Sequence, residues 1–254
     1  MLTSALPPMD NDFCWETFLG EFSLAAESAG FRALELISLP AGPLMVWQRK
    51  GPGSRVYLSA GMHGDEPAGP IALLKMMQAS YFSERIHWVI CPALNPSGLA
   101  SSRRENADGV DMNRDYWTLT TQEVAAHTDW LNSQPAPDLA VSLHEDWETS
   151  GFYFYEINLG EDDPERAADI LADVRPWFPA EAESMIDGHE CRELGWIFHA
   201  AEPDLHEGWP EAIYLAKMGC PLSLTFETPS QGKLADRVAA HCAAIRVACA
   251  QMLD

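Results

Sequence analysis

Four residues carry most of the chemical information in this 254-residue chain: His63, Glu66, His144 and Glu227. His63 and Glu66 stand three apart in the run Gly61-Met-His63-Gly-Asp-Glu66-Pro67, on a turn that feeds a helix. That spacing brings an imidazole and a carboxylate to one side, within reach of a common ion. Two protein donors are too few for a stable zinc site. A third from a distant strand gives the three-ligand arrangement, with one open position, that catalytic zinc uses. His144, closing a strand-like run, is the best-placed third donor; its neighbours Glu145, Asp146 and Glu148 are the alternatives. Glu227 closes another strand-like run and adds a carboxylate at the same kind of position. His87 inside a strand and His127 on a helix face read as structural. His189, His199 and His206 fall in an aperiodic stretch and read as surface positions able to line a pocket.

A second loaded stretch runs from Asn95 to Tyr116, NPSGLASSRRENADGVDMNRDY, with three arginines and three asparagines. Such a loop makes little sense as core. A solvated surface loop is the plain reading. In a chain this acidic, however, its arginines form a local positive focus, and the planar guanidinium pairs a carboxylate through two parallel hydrogen bonds. The loop is therefore a candidate anion clamp.

These residues need elements to hold them. Apolar spacing predicts a helix over Phe13–Ala29, stopped at Gly30, then strands over Ala33–Ser38 and Leu44–Gln48. A strand at Val56–Ala60, a helix at Pro67–Ala79 and a strand at Ile86–Cys91 follow. A helix at Thr121–Asn132, with Thr118 and Thr120 as cap candidates, leads to strands Asp138–Leu143 and Phe152–Ile157 and a helix Asp163–Val174. Leu222–Phe226 reads as a strand and Leu234–Leu253 as a long amphipathic helix. Alternating strands and helices imply a mostly parallel, mixed central sheet covered on both faces, a three-layer α/β/α fold. The chemistry-bearing residues then sit beyond the carboxyl ends of several strands, where open α/β sheets place ligands. Residues 175–221 carry weak periodicity and several tryptophans and prolines, so they read as a long functional loop or one concealing a short hairpin.

Composition sets the outer limits. The length suits one large α/β domain over residues 1–254, with no repeat or linker to divide it. A formal net charge of −22, from 38 acids against 16 bases, repels phosphate backbones and anionic lipid, so nucleic acid and membrane surfaces are poor partners. The six dispersed cysteines are expected to be free thiols. The opening MLTSALPPMDND has neither a basic region nor a continuous apolar stretch, and no membrane-length apolar run occurs, so a cytoplasmic protein is expected. The oligomeric state is not encoded legibly.

The motifs His63-Gly-Asp-Glu66, Arg104-Glu-Asn-Ala-Asp-Gly-Val-Asp111-Met-Asn113-Arg114, the strand-end His144 and Phe-Glu227-Thr-Pro together resemble the zinc carboxypeptidase family. Within it they are most similar to the compact bacterial branch that contains murein peptide amidases. They span residues 63–229, and the R-x-N-x-x-G-V-D-x-N-R string is quite specific. The resemblance implies one zinc ion per chain on His63, Glu66 and His144. It implies Glu227 as the general base, Arg104 as the group facing the developing oxyanion, and Asn113 with Arg114 as a clamp on the substrate's terminal carboxylate. It implies that Asp111 hydrogen-bonds His63 and fixes its tautomer. The expected activity is hydrolysis of a peptide or isopeptide bond, including one in a murein peptide, next to a free carboxylate.

Two departures stand against the pattern. Asp115 replaces a common asparagine and puts an acid beside the clamp. The family's mobile tyrosine has no obvious counterpart, with Tyr153, Tyr155 and Tyr214 as candidates. Arg103 also competes with Arg104 by adjacency. Aspartoacylase-like and succinylglutamate desuccinylase-like amidohydrolases share much of the logic and would take an N-acyl amino acid. A carboxylate-binding homologue without catalysis is a further alternative.

Overall fold

The computed structural model describes residues 13–253, so the expectations drawn from the first twelve residues lie outside the described part. Helix α1 (Trp15–Ser28) comes first. Its buried Trp15, Phe18, Phe22 and Ala26 recur at three- and four-residue steps, which puts them on one face. Burial of each large side chain there contributes roughly 1.5–3 kcal/mol. Strands β1 (Arg32–Leu39) and β2 (Gly42–Arg49) form an antiparallel hairpin. Strand β3 (Arg55–Ala60), helix α2 (Ala68–Gln78) and strand β4 (His87–Cys91) make a parallel unit. A short helix α3 (Pro96–Ser101) and a 3-10 turn (Met112–Arg114) punctuate the arginine loop before helix α4 (Gln122–Asn132). Strands β5 (Leu139–Asp146) and β6 (Tyr153–Asn158) and helix α5 (Pro164–Val174) follow.

The stretch expected to be a long loop or one concealing a short hairpin does hold a hairpin, and further elements beside it. It contains a two-stranded ribbon, β7 (Met185–Ile186) with β8 (His189–Glu190), then β9 (Trp196–Phe198) and helix α6 (Glu211–Lys217). Strand β10 (Leu222–Pro229), helix α7 (Leu234–Ala250) and a last 3-10 turn (Gln251–Leu253) complete the order.

Eight strands form one mixed sheet in the order β1-β2-β4-β3-β5-β10-β6-β9. Its centre, β4-β3-β5-β10, is parallel throughout. Side chains alternate across it. Val56 and Leu58, with Leu139, Val141 and Leu143, pack with α1, α2, α5 and α7 on one face. Tyr57, Val89, Cys91 and Ala140 pack with Val124, Leu131 and Leu215 of α4 and α6 on the other. Both faces are covered, as a parallel centre requires, and the three-layer α/β/α expectation holds. No helix among the described residues is long and apolar enough to cross a membrane. All six cysteines are free.

Two expectations about local structure are corrected. Thr121, not Thr118 or Thr120, caps α4, its hydroxyl accepting the Val124 N–H. Strands β5 and β10 continue past His144 and Glu227 by two residues each, so both residues sit inside the ladder rather than at its end.

Candidate metal centre and its cavity

The turn after β3 is built around a close crossing of two backbones. A Cβ on Gly64 would lie 1.8 Å from the carbonyl carbon of Gly98 in α3, so no larger residue fits between His63 and Asp65. Asn95 locks the crossing. Its side-chain oxygen caps α3 by accepting the Gly98 N–H at 2.8 Å, and its amide donates to the carbonyls of Met62 and Arg104. The arginine loop is thereby tied to the His63 turn. Asn106 does the same within the loop, accepting N–H groups from Asp108 and Val110. Both asparagines are buried, against the expectation that the loop has no core.

His63, Glu66 and His144 converge: one donor atom from each lies within 4.8 Å of the others. His63 Nδ1 is 2.6 Å from Glu66 Oε1, and His144 Nδ1 is 2.9 Å from Glu66 Oε2. All three are buried. Asp111 Oδ1 lies 3.2 Å from His63 Nε2. A carboxylate only accepts, so Nε2 carries a proton toward Asp111; burial opposes a second proton on the ring, and Glu66 beside Nδ1 outweighs it, raising the His63 pKa to about 9. The space between Nδ1 and Glu66 therefore draws a positive charge, a proton or a metal ion in its place. Glu66 is held ionised: burial opposes this, and the adjacent His63 and His144 outweigh it. Two imidazoles and a carboxylate, with a carboxylate behind one ring, fit a zinc-type ion in both donor chemistry and outer support.

Asp111 also accepts from Arg104 Nη2 at 2.9 Å and from the Asn113 N–H at 2.9 Å. One carboxylate thus fixes His63, Arg104 and the start of the Met112–Arg114 turn. Burial would raise its pKa; His63 and Arg104 hold it well below the ordinary range. Arg104, not Arg103, reaches the centre, with Nη1 3.1 Å from His63 Nδ1 and 3.5 Å from Glu66 Oε1. Arg103 is exposed.

Glu227 pairs with His144 across the parallel β5–β10 ladder and with Tyr153 across the antiparallel β10–β6 ladder. Burial raises its pKa well above the carboxylate norm, and Glu66, Asp146 and Asp187 add to the effect. A cavity of about 440 Å³ opens on this arrangement, lined by the three donors together with Glu227, Arg104, Asn113 and Arg114. The sequence-predicted site residues other than Asp111 therefore share one cavity, and Asp111 stands behind it.

The alternative donors are committed elsewhere. Glu145 accepts the Ala68 N–H at 2.7 Å, at the start of α2, and pairs with buried Arg237. Asp146 accepts from Tyr153 Oη and the Glu148 N–H, and Glu148 itself is exposed. His87 lies beside Arg55 and His127 in the core, as expected.

Asp115 does not reach the clamp. It is buried and accepts from Thr118, Thr120 and Thr121, organising the turn into α4. Tyr153 and Tyr155 line the cavity; Tyr214 instead bonds Asn132 and packs on Tyr116. Among the cavity residues, Glu211 escaped the sequence reading, whereas His189 and His199 take the pocket-lining role it left open to them. Glu211 lines the cavity through α6, and His189 and His199 through β8 and the residue after β9. The Asp187-Gly188 pair was the available signal for His189: it is the two-residue turn of the β7–β8 ribbon, both φ angles positive, at 50° and 82°.

Residues 52–175 match the family described as the succinylglutamate desuccinylase/aspartoacylase catalytic domain. Curated relatives are carboxypeptidases matched in part. "Carboxypeptidase 2" of Trichophyton rubrum is 28% identical over 135 residues, 48% of this chain and 25% of that protein. "Carboxypeptidase SOL1" of Arabidopsis thaliana is 38% identical over 66 residues, 22% of this chain and 13% of that one. The chain thus spans a quarter or less of the length of these relatives. Among solved structures, a "putative metallopeptidase" of Shewanella denitrificans superposes with a TM-score of 0.82 at 23% identity, covering 94% of this chain and 90% of that one. A metallo-carboxypeptidase of Burkholderia cenocepacia gives 0.69 at 18% identity, covering 94% and 69%.

Proposed function

We propose that this chain, similar over residues 52–175 to the desuccinylase/aspartoacylase domain, in part to carboxypeptidases and in fold to metallopeptidases, hydrolyses an amide bond next to a free carboxylate. The single observation that carries the reading is the in-register pairing of Glu227 with His144 beside the His63–Glu66 turn, in one cavity with Asn113 and Arg114. His63, Glu66 and His144 would hold one zinc ion. When bound, that ion supplies Lewis-acid polarisation and makes water a nucleophile near neutral pH.

The chain's own residues do the rest. Glu227 takes the proton from the attacking water as its oxygen bonds to the carbonyl carbon. It returns that proton to the amide nitrogen as the carbon–nitrogen bond breaks. A carboxyl whose pKa is pushed upward by burial is suited to both halves of that transfer. Arg104, aligned by Asp111, faces the charge that develops on the carbonyl oxygen. Asn113 and Arg114 bind the free carboxylate and set which bond reaches Glu227.

A peptide or isopeptide is the leading substrate, murein peptides included, because the long arginine-loop motif follows the carboxypeptidase pattern. The desuccinylase/aspartoacylase match over residues 52–175 favours an N-acyl amino acid as the second reading. Zinc-loaded protein assayed with short peptides, isopeptide-containing murein fragments and N-acyl amino acids separates them. Each substrate is paired with its amidated form. Turnover of free-carboxylate substrates only is expected, with peptides ahead. Turnover indifferent to amidation, or none with any substrate, would overturn the reading.

A further inference from the structure

We propose that His189, His199 and Asp204 form a second site for a zinc-class divalent ion, on the wall of the same cavity. The three come from separate elements. His189 opens β8, His199 follows β9 and continues its pairing with β6 by donating its N–H to the Glu156 carbonyl at 2.8 Å, and Asp204 belongs to the next loop. One donor atom from each lies within 4.8 Å of the others.

Tautomer logic supplies the first argument. His199 Nδ1 is 2.5 Å from the Ala200 carbonyl oxygen, which only accepts, so Nδ1 is the donor there and is not available to an ion. Nε2 is the remaining ring atom, and it faces Asp204 Oδ1 at 3.6 Å. His189 Nε2 faces the other oxygen, Oδ2, at 3.3 Å. Lengths supply the second argument. Both separations exceed the 2.7–3.2 Å of an N–H···O hydrogen bond. Donors each about 2.0–2.1 Å from one tetrahedral ion stand roughly 3.3–3.4 Å apart, matched by the 3.3 Å from His189 Nε2 to Asp204 Oδ2.

Support around the site is also present. The two imidazoles meet edge to face with centroids 4.7 Å apart, and the Tyr155 ring packs against both. The histidines are largely buried, with 22% and 13% of their side chains exposed. Two imidazoles and one carboxylate select zinc-class ions over calcium or magnesium. The remaining coordination position takes water or an anionic oxygen of a ligand.

Zinc itself is the probe. Wild-type protein loaded with Zn²⁺ and freed of excess is expected to retain two equivalents by elemental analysis. The pair His189→Ala with His199→Ala should retain one, and so should Asp204→Asn at limiting zinc, with at least a tenfold weaker second Kd by calorimetry. Asp204 is 65% exposed, so Asp204→Asn leaves the fold intact and keeps the test decisive if the histidine pair misfolds. His63→Ala should remove the other equivalent and leave this one. A wild-type protein holding a single equivalent, or a second equivalent indifferent to all three outer-wall changes, overturns the proposal without touching the inner site.

Discussion

The side-chain oxygen of Asn113 accepts the backbone N–H of Glu211 at 3.0 Å. That bond settles which end of the amide does what: with the oxygen engaged at the start of α6, the two N–H donors remain for a ligand. Glu211 is anchored in turn, its carboxylate accepting from Tyr57 at 2.6 Å, Ser59 at 2.7 Å and Ser142 at 2.9 Å. The Asn113 side of the cavity is thus fixed through the sheet itself. Asn113→Asp keeps the acceptor and replaces the donors with a charge that repels carboxylate. Catalytic efficiency toward a free-carboxylate substrate is expected to fall roughly 10- to 100-fold, mainly through KM. Efficiency equal to the parent's would remove Asn113 from substrate binding.

Glu227→Gln tests the base. The amide is nearly isosteric and Glu227 is not among the three donors, so zinc content and melting temperature should stay close to the parent's. Turnover should fall by about 10² to 10⁴. A metal-replete variant with near-normal turnover would move proton transfer to another residue.

Arg104→Ala and Arg114→Ala should separate. A terminal carboxylate is present in ground and transition states alike, whereas charge on the carbonyl oxygen appears only in the latter. Arg114→Ala is expected to raise KM, and Arg104→Ala to lower kcat. Steady-state kinetics on one substrate with both variants checks the split; the reverse pattern would exchange their roles.

Asp111→Asn removes the charge that His63, Arg104 and the Asn113 N–H share. Zinc affinity should drop about 10- to 100-fold, as it does when the group behind a ligating histidine is lost. Competition with a chelator measures it. An unchanged Kd would show that the His63 ring is oriented without Asp111.

His127 gives a stability prediction away from the metal. Tyr57 spends its proton on Glu211, so His127 Nε2 donates to Tyr57 Oη and Nδ1 accepts from Tyr116 Oη. The ring is neutral in this network. Burial lowers its pKa from 6.5 to about 4, with Glu211 opposing. The unfolded chain takes up a proton near 6.5 and the folded chain only near 4. This part of the stability is therefore complete above about 6.5 and is lost as pH falls toward 4. Between pH 7 and pH 5 it amounts to roughly 2 kcal/mol. Urea unfolding of the parent and of His127→Gln at both pH values checks it: the acid loss should be smaller by about that amount in the variant.

The inner donors and Glu227 were legible in sequence because each falls at or near the end of an apolar strand, and because the three-residue His63–Glu66 spacing is local. The arginine loop was legible by its motif but not by its mechanics. Nothing in the string tells that Asn95 and Asn106 are buried braces or that Asp115 turns away from Arg114 to bind three threonines. The 175–221 stretch was least legible, for a physical reason. Strand β9 is three residues long and gains its order from β6, forty residues earlier, so no local period announces it. His199 inherits that opacity, since its N–H continues this remote pairing, whereas His189 sits on the local β7–β8 ribbon.

Strand β10 follows all its sheet partners in chain order among the described residues, yet it lies between β5 and β6 in the finished sheet. Until it inserts, His144 has no Glu227 beside it, and two central strand edges stand open. A nascent chain ending before residue 222 therefore lacks Glu227 even where His63, Glu66 and His144 are already made. Under the proposed function, the cavity would lack Glu227 until the sheet has closed around it.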